Sequence, residues 1–407
     1  MFALLVLTPL AGCTVGGDGS VEAVSTVDVK PLVHLPAADG LDPNLPISVT
    51  AEKGSKLTDV TVTGPDGRQV VGKLADDQRS WQSVGRLAAG TKYLIRVAAD
   101  DGDGGRGETT GTLTTAQGRA RLSAELGPNT SGSGLYGVGQ PLTVKLSQPI
   151  KDPAARQEVE RSLKVVSEPA VTGSWYWVDD SNLHFRPTEY WPAHATVKFT
   201  FDRPGTRIAD GLYEGDAVSR TIRTGDRVEV LIDAGSHYLT YRRNGEVVNT
   251  IPVTTGRPGF STRNGIKVVL GQEASVRMRS SSIGIAADSP DSFDTNVRWA
   301  TRVTWSGEYV HAAPWSLSSQ GVENVSHGCT GMSTANAKWF FDETRVGDVV
   351  QVVNSLGKAM EPFGNGFGDW NVSWAEWTKH SALGRTVNTA GRAEEEAVPV
   401  GALVPQV

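Results

Sequence analysis

The sequence predicts a mainly β protein: two tandem β-sandwiches, then a third β-rich domain, then a short Trp-rich C-terminal piece. Three observations lead there. A chain of 407 residues exceeds what one hydrophobic core usually serves. Its 46 glycines and 21 prolines, with 39% hydrophobic content, suit turn-rich strands better than a helical bundle. Short runs of alternating apolar and polar residues, separated by turn signals, recur along most of the chain.

Residues 1–13 form an apolar run closed by Leu10, Ala11, Gly12 and Cys13. A run too short to cross a bilayer, followed by small residues, reads as an export signal. The closing tetrad resembles a bacterial lipobox, which implies a diacylated Cys13 at the mature N-terminus. The protein is then expected at the outer face of the cytoplasmic membrane, lipid-anchored and facing the cell wall. Residues 14–28 are small and polar and read as a flexible tether.

Residues 29–118 carry strand patterns such as Leu57–Thr63 and Tyr93–Val97, with a turn signal at Gly64–Gly67. Residues 119–224 repeat the style with Leu142–Leu146 and Val197–Phe201. Asp152 before Pro153 there predicts a capped helical turn or two. The two segments close on similar strands around Leu113 and Ile222, 109 residues apart (222 − 113), as in tandem immunoglobulin-like modules.

A third pattern runs over 225–354. Asn244–Gly245 between alternating runs predicts a type I′ hairpin, because both residues accept positive φ. Residues 273–298 are Ser-rich and poorly patterned and read as a lid. Ser333 looks like the N-cap of a helix from Thr334 to about Thr344 that buries Trp339 and Phe340. Gly347 ends it, and Val349–Val353 is a strand. Residues 355–384 form the C-terminal piece, where Trp370, Trp374 and Trp377 read as packing anchors in preference to a sugar platform. Residues 385–407 read as a disordered tail.

A net charge of −6 and a pI of about 5.7 exclude a basic footprint for nucleic acid. With Cys13 carrying lipid, Cys329 has no disulfide partner, and an unpaired thiol in an exported chain reads as reactive. Only seven histidines exist, and His311 and His327 lie within eighteen residues of it. A thiol attacks only as thiolate, which needs a base or a positive field. In an extended segment His327 and Cys329 leave on the same face, and Gly328 lets the backbone approach a substrate closely. Zinc is the weaker reading of these side chains, since the spacing matches no common site and structural sites want four ligands. A papain-like order, with Cys before His, is absent.

Ser326–Cys329, preceded by Val310–Trp315, resembles the active-site motif of the L,D-transpeptidase catalytic domain (YkuD type), in the mycobacterial lipoprotein group with two immunoglobulin-like domains. The resemblance implies Cys329 as nucleophile and His311 as base, its ring oriented by the carbonyl of Ala312. It places His327 beside the thiol and the Gly328 and Cys329 amides in an oxyanion hole. Ser306, Gly307, Trp315, Met278 and Phe293, the last where relatives carry tyrosine, would line the substrate groove. Gly331 stands where asparagine is usual, so a polar contact is expected to be lost, the loop to be loose, and Gly331→Asn to speed acylation. The implied reaction joins third residues of donor and acceptor peptidoglycan stem peptides through a thioester, releasing D-alanine, with β-lactams as covalent inhibitors. No cofactor or metal is expected; Arg207 stands where some relatives need a calcium-binding carboxylate. Hydrolysis of the thioester, attachment of a protein amine, or a decayed wall-binding scaffold stay open.

Overall fold

The computed structural model describes residues 25–129 and 132–391. The lipobox, including Cys13, lies outside the described residues. The chain forms two compact units, divided after Ala116.

In the first unit two sheets face each other. One holds Lys56–Thr63, Lys92–Asp100 and Gly105–Thr115; the other holds Val33–His34, Ser48–Ala51, Ser80–Ser83 and Gly72–Leu74. Lys92–Asp100 buries every second side chain, which sends Tyr93, Ile95, Val97 and Ala99 into a core with Val49, Leu57, Trp81 and Leu113. Residues 25–28, expected in the tether, belong to this unit. Ser25–Thr26 pairs in parallel with Gly105 and Arg106, and Val29 just beyond is fully buried. Sheet pairing, invisible in a small polar run, orders them.

The second unit begins at Gln117 and contains both the second sandwich and the domain carrying Cys329. The expected border near residue 224 is no gap in packing. Val349 shares the sandwich core, and Gly137 and Gly139 donate to the carbonyls of Val346 and Gly347. The capped helix after Asp152 spans Pro153–Ser162, with Asp152 accepting from the Ala155 amide. Its buried Glu160 accepts from Trp177 Nε1, Ser381 Oγ and the Ala382 and Leu383 amides, tying the C-terminal segment down.

That segment is a strap on the sandwich, not a free-standing subdomain. Trp377 is fully buried, and the Arg186 guanidinium lies over the rings of Trp370, Trp374 and Trp377. The expected disordered tail also begins too early at 385. Val387–Asn388 adds an edge strand to Thr172–Trp177, and Thr389 is fully buried. Backbone pairing holds these residues, and their composition carries no sign of it.

Two sheets build the domain around Cys329. Val228–Asp233 lies at the centre of one, flanked by Tyr238–Arg243 and, in parallel, by Val349–Val353. Asn244 and Gly245 both take positive φ at the hairpin. The other sheet runs Gly271–Arg279, Asp294–Arg302, Tyr309–Ala312, Thr330–Met332. The helix Thr334–Glu343, capped by Ser333 Oγ on the Asn336 amide, buries Phe340 in the core with Val310, Met332 and Val350. The expected lid over 273–298 is mostly regular hairpin, since Gly271–Arg279 pairs with Asp294–Arg302 along its length. Polar residues on both faces hide these strands from a pattern search; the irregular part is 280–293.

Candidate active site

His311 sits in the Tyr309–Ala312 strand, in register with Gly331 of the parallel strand that begins one residue after Cys329. The strand pair thus brings together residues from either side of the 313–328 loop. His311 is buried, and its Nδ1–H donates to the Ala312 carbonyl at 2.8 Å. That bond leaves Nε2 unprotonated. Burial holds the ring below the ordinary histidine range, so it is neutral and able to accept a proton. Trp315, largely exposed, lies 6.1 Å from it, ring to ring.

The Cys329 thiol donates to the Gly307 carbonyl at 3.5 Å. Burial, with the Glu308 charge, pushes the thiol up to about 11, against the pull of the Tyr309 amide and the Lys267 ammonium. At neutral pH it is protonated, and attack requires a base to take the proton as the bond forms. Met278 packs against the same small cluster of Val297, Ala300 and Tyr309 that Cys329 touches. Ser306 is exposed, its amide held by Asn365 Oδ1 at 2.8 Å, and Gly307 beside it takes φ +104°.

His327 is neutral too, but its lone pair is engaged: Arg257 Nη2 donates to Nε2 at 3.0 Å and to Asp291 of the 280–293 segment at 2.5 Å. Burial and the Arg257 charge both hold its pKa down. Phe260 and Phe293 flank the ring at 4.8 and 5.1 Å.

Two expectations fail here. The Gly328 amide is not turned toward a substrate; it donates to Ser326 Oγ at 3.1 Å, while Ser326 Oγ donates to the Cys329 carbonyl and Thr262 Oγ1 to the Gly328 carbonyl. This lattice, with Gly328 at φ +124°, fixes the loop and uses the Gly328 amide within it. Gly331 is neither loose nor a substrate contact. It is buried mid-strand, exchanges both backbone bonds with Thr254, and a Cβ there would stand 2.8 Å from Ala313 Cβ and 3.2 Å from Thr254 Cγ2.

Arg257, Phe260, Thr262, Lys267 and Glu308 surround the site without having been anticipated. Only Lys267 and Glu308 left a trace, as charges in apolar strand patterns where burial would require a partner.

A model of the L,D-transpeptidase catalytic domain matches residues 227–352, and one of a bacterial Ig domain matches residues 38–207. The chain is similar to L,D-transpeptidase 2 of Mycobacterium tuberculosis, 34% identical over 85% of this chain and 83% of that protein. It is also similar to L,D-transpeptidase 5 of that organism, 30% identical over 94% and 83% respectively. The solved L,D-transpeptidase 3 from the same organism, with a faropenem-derived adduct, is 34% identical and covers 57% of this chain and 97% of its own, at a TM-score of 0.47. Matched over most of its length to a relative of this kind, and carrying its neutral imidazole on a strand beside the one that starts just after its thiol, the chain belongs to the L,D-transpeptidase family.

Proposed function

We propose that this enzyme is a peptidoglycan L,D-transpeptidase whose nucleophile is Cys329 and whose base is His311. One observation supports this division of labour. His311 keeps Nε2 unprotonated through its bond to the Ala312 carbonyl, whereas the lone pair of His327 is occupied by Arg257. In the first step the thiol proton passes to His311 Nε2 as sulfur bonds to the carbonyl carbon of the third stem residue. The oxyanion rests on the Cys329 amide. Collapse breaks the amide bond, and the imidazolium gives its proton to the departing D-alanine amine, leaving a thioester. A side-chain amine of a second stem then attacks; it loses its proton to His311, and the thiol is restored.

The same thiol is the proposed point of β-lactam acylation. Cys13 is the proposed lipid anchor, holding the enzyme at the outer face of the cytoplasmic membrane. Incubation with a disaccharide-tetrapeptide, read by mass spectrometry, should yield dimers linked through third residues. Cys329→Ala should yield none, and comparable turnover by that variant would overturn the mechanism. Cys13→Ser should release the protein from membranes; an unmodified Cys13 in wholly soluble wild-type protein would refute the anchor.

A further inference from the structure

Lys267, on the strand Gly265–Val268, is fully buried, with Nζ 2.5 Å from Glu308 Oε2. Glu308 Oε1 accepts from Arg263 Nη1 at 3.0 Å and from the Arg263 amide at 3.1 Å. Arg263 also lies 3.1 Å from Glu361, which pairs with exposed Lys358. Glu308 sits between Gly307, whose carbonyl meets the Cys329 thiol, and Tyr309, whose amide faces the sulfur. Its Cγ is 4.0 Å from where a Cβ on Gly328 would stand. Two cations thus share one carboxylate directly behind the nucleophile. A buried ion pair adds little net stability over apolar side chains of the same volume, so stability is a poor account of a lysine in this place.

We propose that Lys267 is a positioning residue for acyl transfer: its buried ammonium, held by Glu308, supplies a positive field that favours the Cys329 thiolate, and Glu308 biases the sulfur the opposite way. The groups around the sulfur fit that role. Burial and Glu308 push the thiol up, while Lys267 and the Tyr309 amide pull it down. Burial pulls Lys267 itself down, while Glu308 and the sulfur hold it up and the neighbouring Arg263 opposes them. His311 and His327 are neutral, and Arg257 is matched by Asp291. In the reaction, the Lys267 charge offsets the Glu308 carboxylate, which would otherwise add to the cost of holding thiolate in a water-poor pocket. No proton passes through Lys267.

The test is the pH profile of Cys329 alkylation by iodoacetamide on the full chain, read on the Cys329 peptide by mass spectrometry so that Cys13 does not interfere. The inference rests on Cys329 as nucleophile, yet iodoacetamide needs no stem peptide, so a failed transpeptidation assay and a failed field effect are told apart. Lys267→Met should move the profile to higher pH and slow alkylation at about pH 8 by about threefold to tenfold. Glu308→Gln should move it to lower pH, and the double variant should return close to wild type. A pair that merely braces the fold would lower the melting temperature of both single variants without displacing their profiles in opposite directions, and that result overturns the proposal. Should Glu308→Gln fail to fold, Lys267→Met and the double variant decide: a shift that the second charge removal cancels supports the field, and an unshifted Lys267→Met refutes it.

Discussion

Gly331 offers the sharpest test of how the site is packed. An asparagine there could donate one hydrogen bond beside the thioester, worth about 0.5–1.5 kcal/mol. Its Cβ would have to stand 2.8 Å from Ala313 Cβ and 3.2 Å from Thr254 Cγ2, in a strand bonded on one side to Thr254 and on the other to the strand of His311. Neither obstacle is the far end of a flexible side chain, so the strands themselves must part. Overpacking of this kind costs about 1–3 kcal/mol, more than the hydrogen bond returns. For a unit of this size that lowers the melting temperature by a few degrees, about 2–4 °C per kcal/mol. It also moves His311 relative to Cys329, so acylation should slow. Gly331→Ala isolates the steric part, and adding Ala313→Gly removes the nearest atom and should recover about half or more of the loss. Thermal melting and the rate of β-lactam acylation, followed by intact mass, give the two readouts. A Gly331→Asn protein with unchanged melting and faster acylation would refute the steric argument.

Asp348 is fully buried; its Oδ2 accepts from the Arg345 amide and its Oδ1 has no partner among the described residues. Burial pushes it up to about 7. The folded state therefore holds a proton that the unfolded chain releases near pH 4, so stability falls as pH rises from about 4 to about 7. Asp348→Asn should abolish that slope and add about 1–3 kcal/mol at pH 8 while changing little at pH 4, as read by denaturant titration at both pH values. Glu160→Ala leaves the Trp177, Ser381, Ala382 and Leu383 donors without their acceptor. It should cost at least about 3 kcal/mol and expose the C-terminal strap to protease before the rest of the unit. Arg257→Ala frees the His327 lone pair and releases Asp291 of the 280–293 segment. Hydrogen exchange over 280–293 should quicken, with acylation slowed less than the hundredfold or so expected for His311→Ala.

The chemistry was legible in the sequence because the residues that carry it are close in the chain or rare. One of two cysteines, two of seven histidines and the glycines between them lie within a short span. Alternating strands, the Asn244–Gly245 hairpin and the caps at Asp152 and Ser333 were readable for a similar reason, since each is decided by neighbours a few residues away. What only the tertiary structure decided depends on partners far along the chain. The edge strand at 387–388 exists because Thr172–Trp177 offers it a ladder, and the Trp-rich strap is docked by Glu160 and Arg186 from the sandwich. Gly331 looks like a lost side chain in sequence, yet Thr254 and Ala313 leave no room for one. The Gly328 amide looked free until Ser326 and the loop geometry claimed it. Lys267 and Glu308, 41 residues apart, give no local sign of pairing; a backbone or charge whose partner is remote becomes visible only when the fold closes the distance.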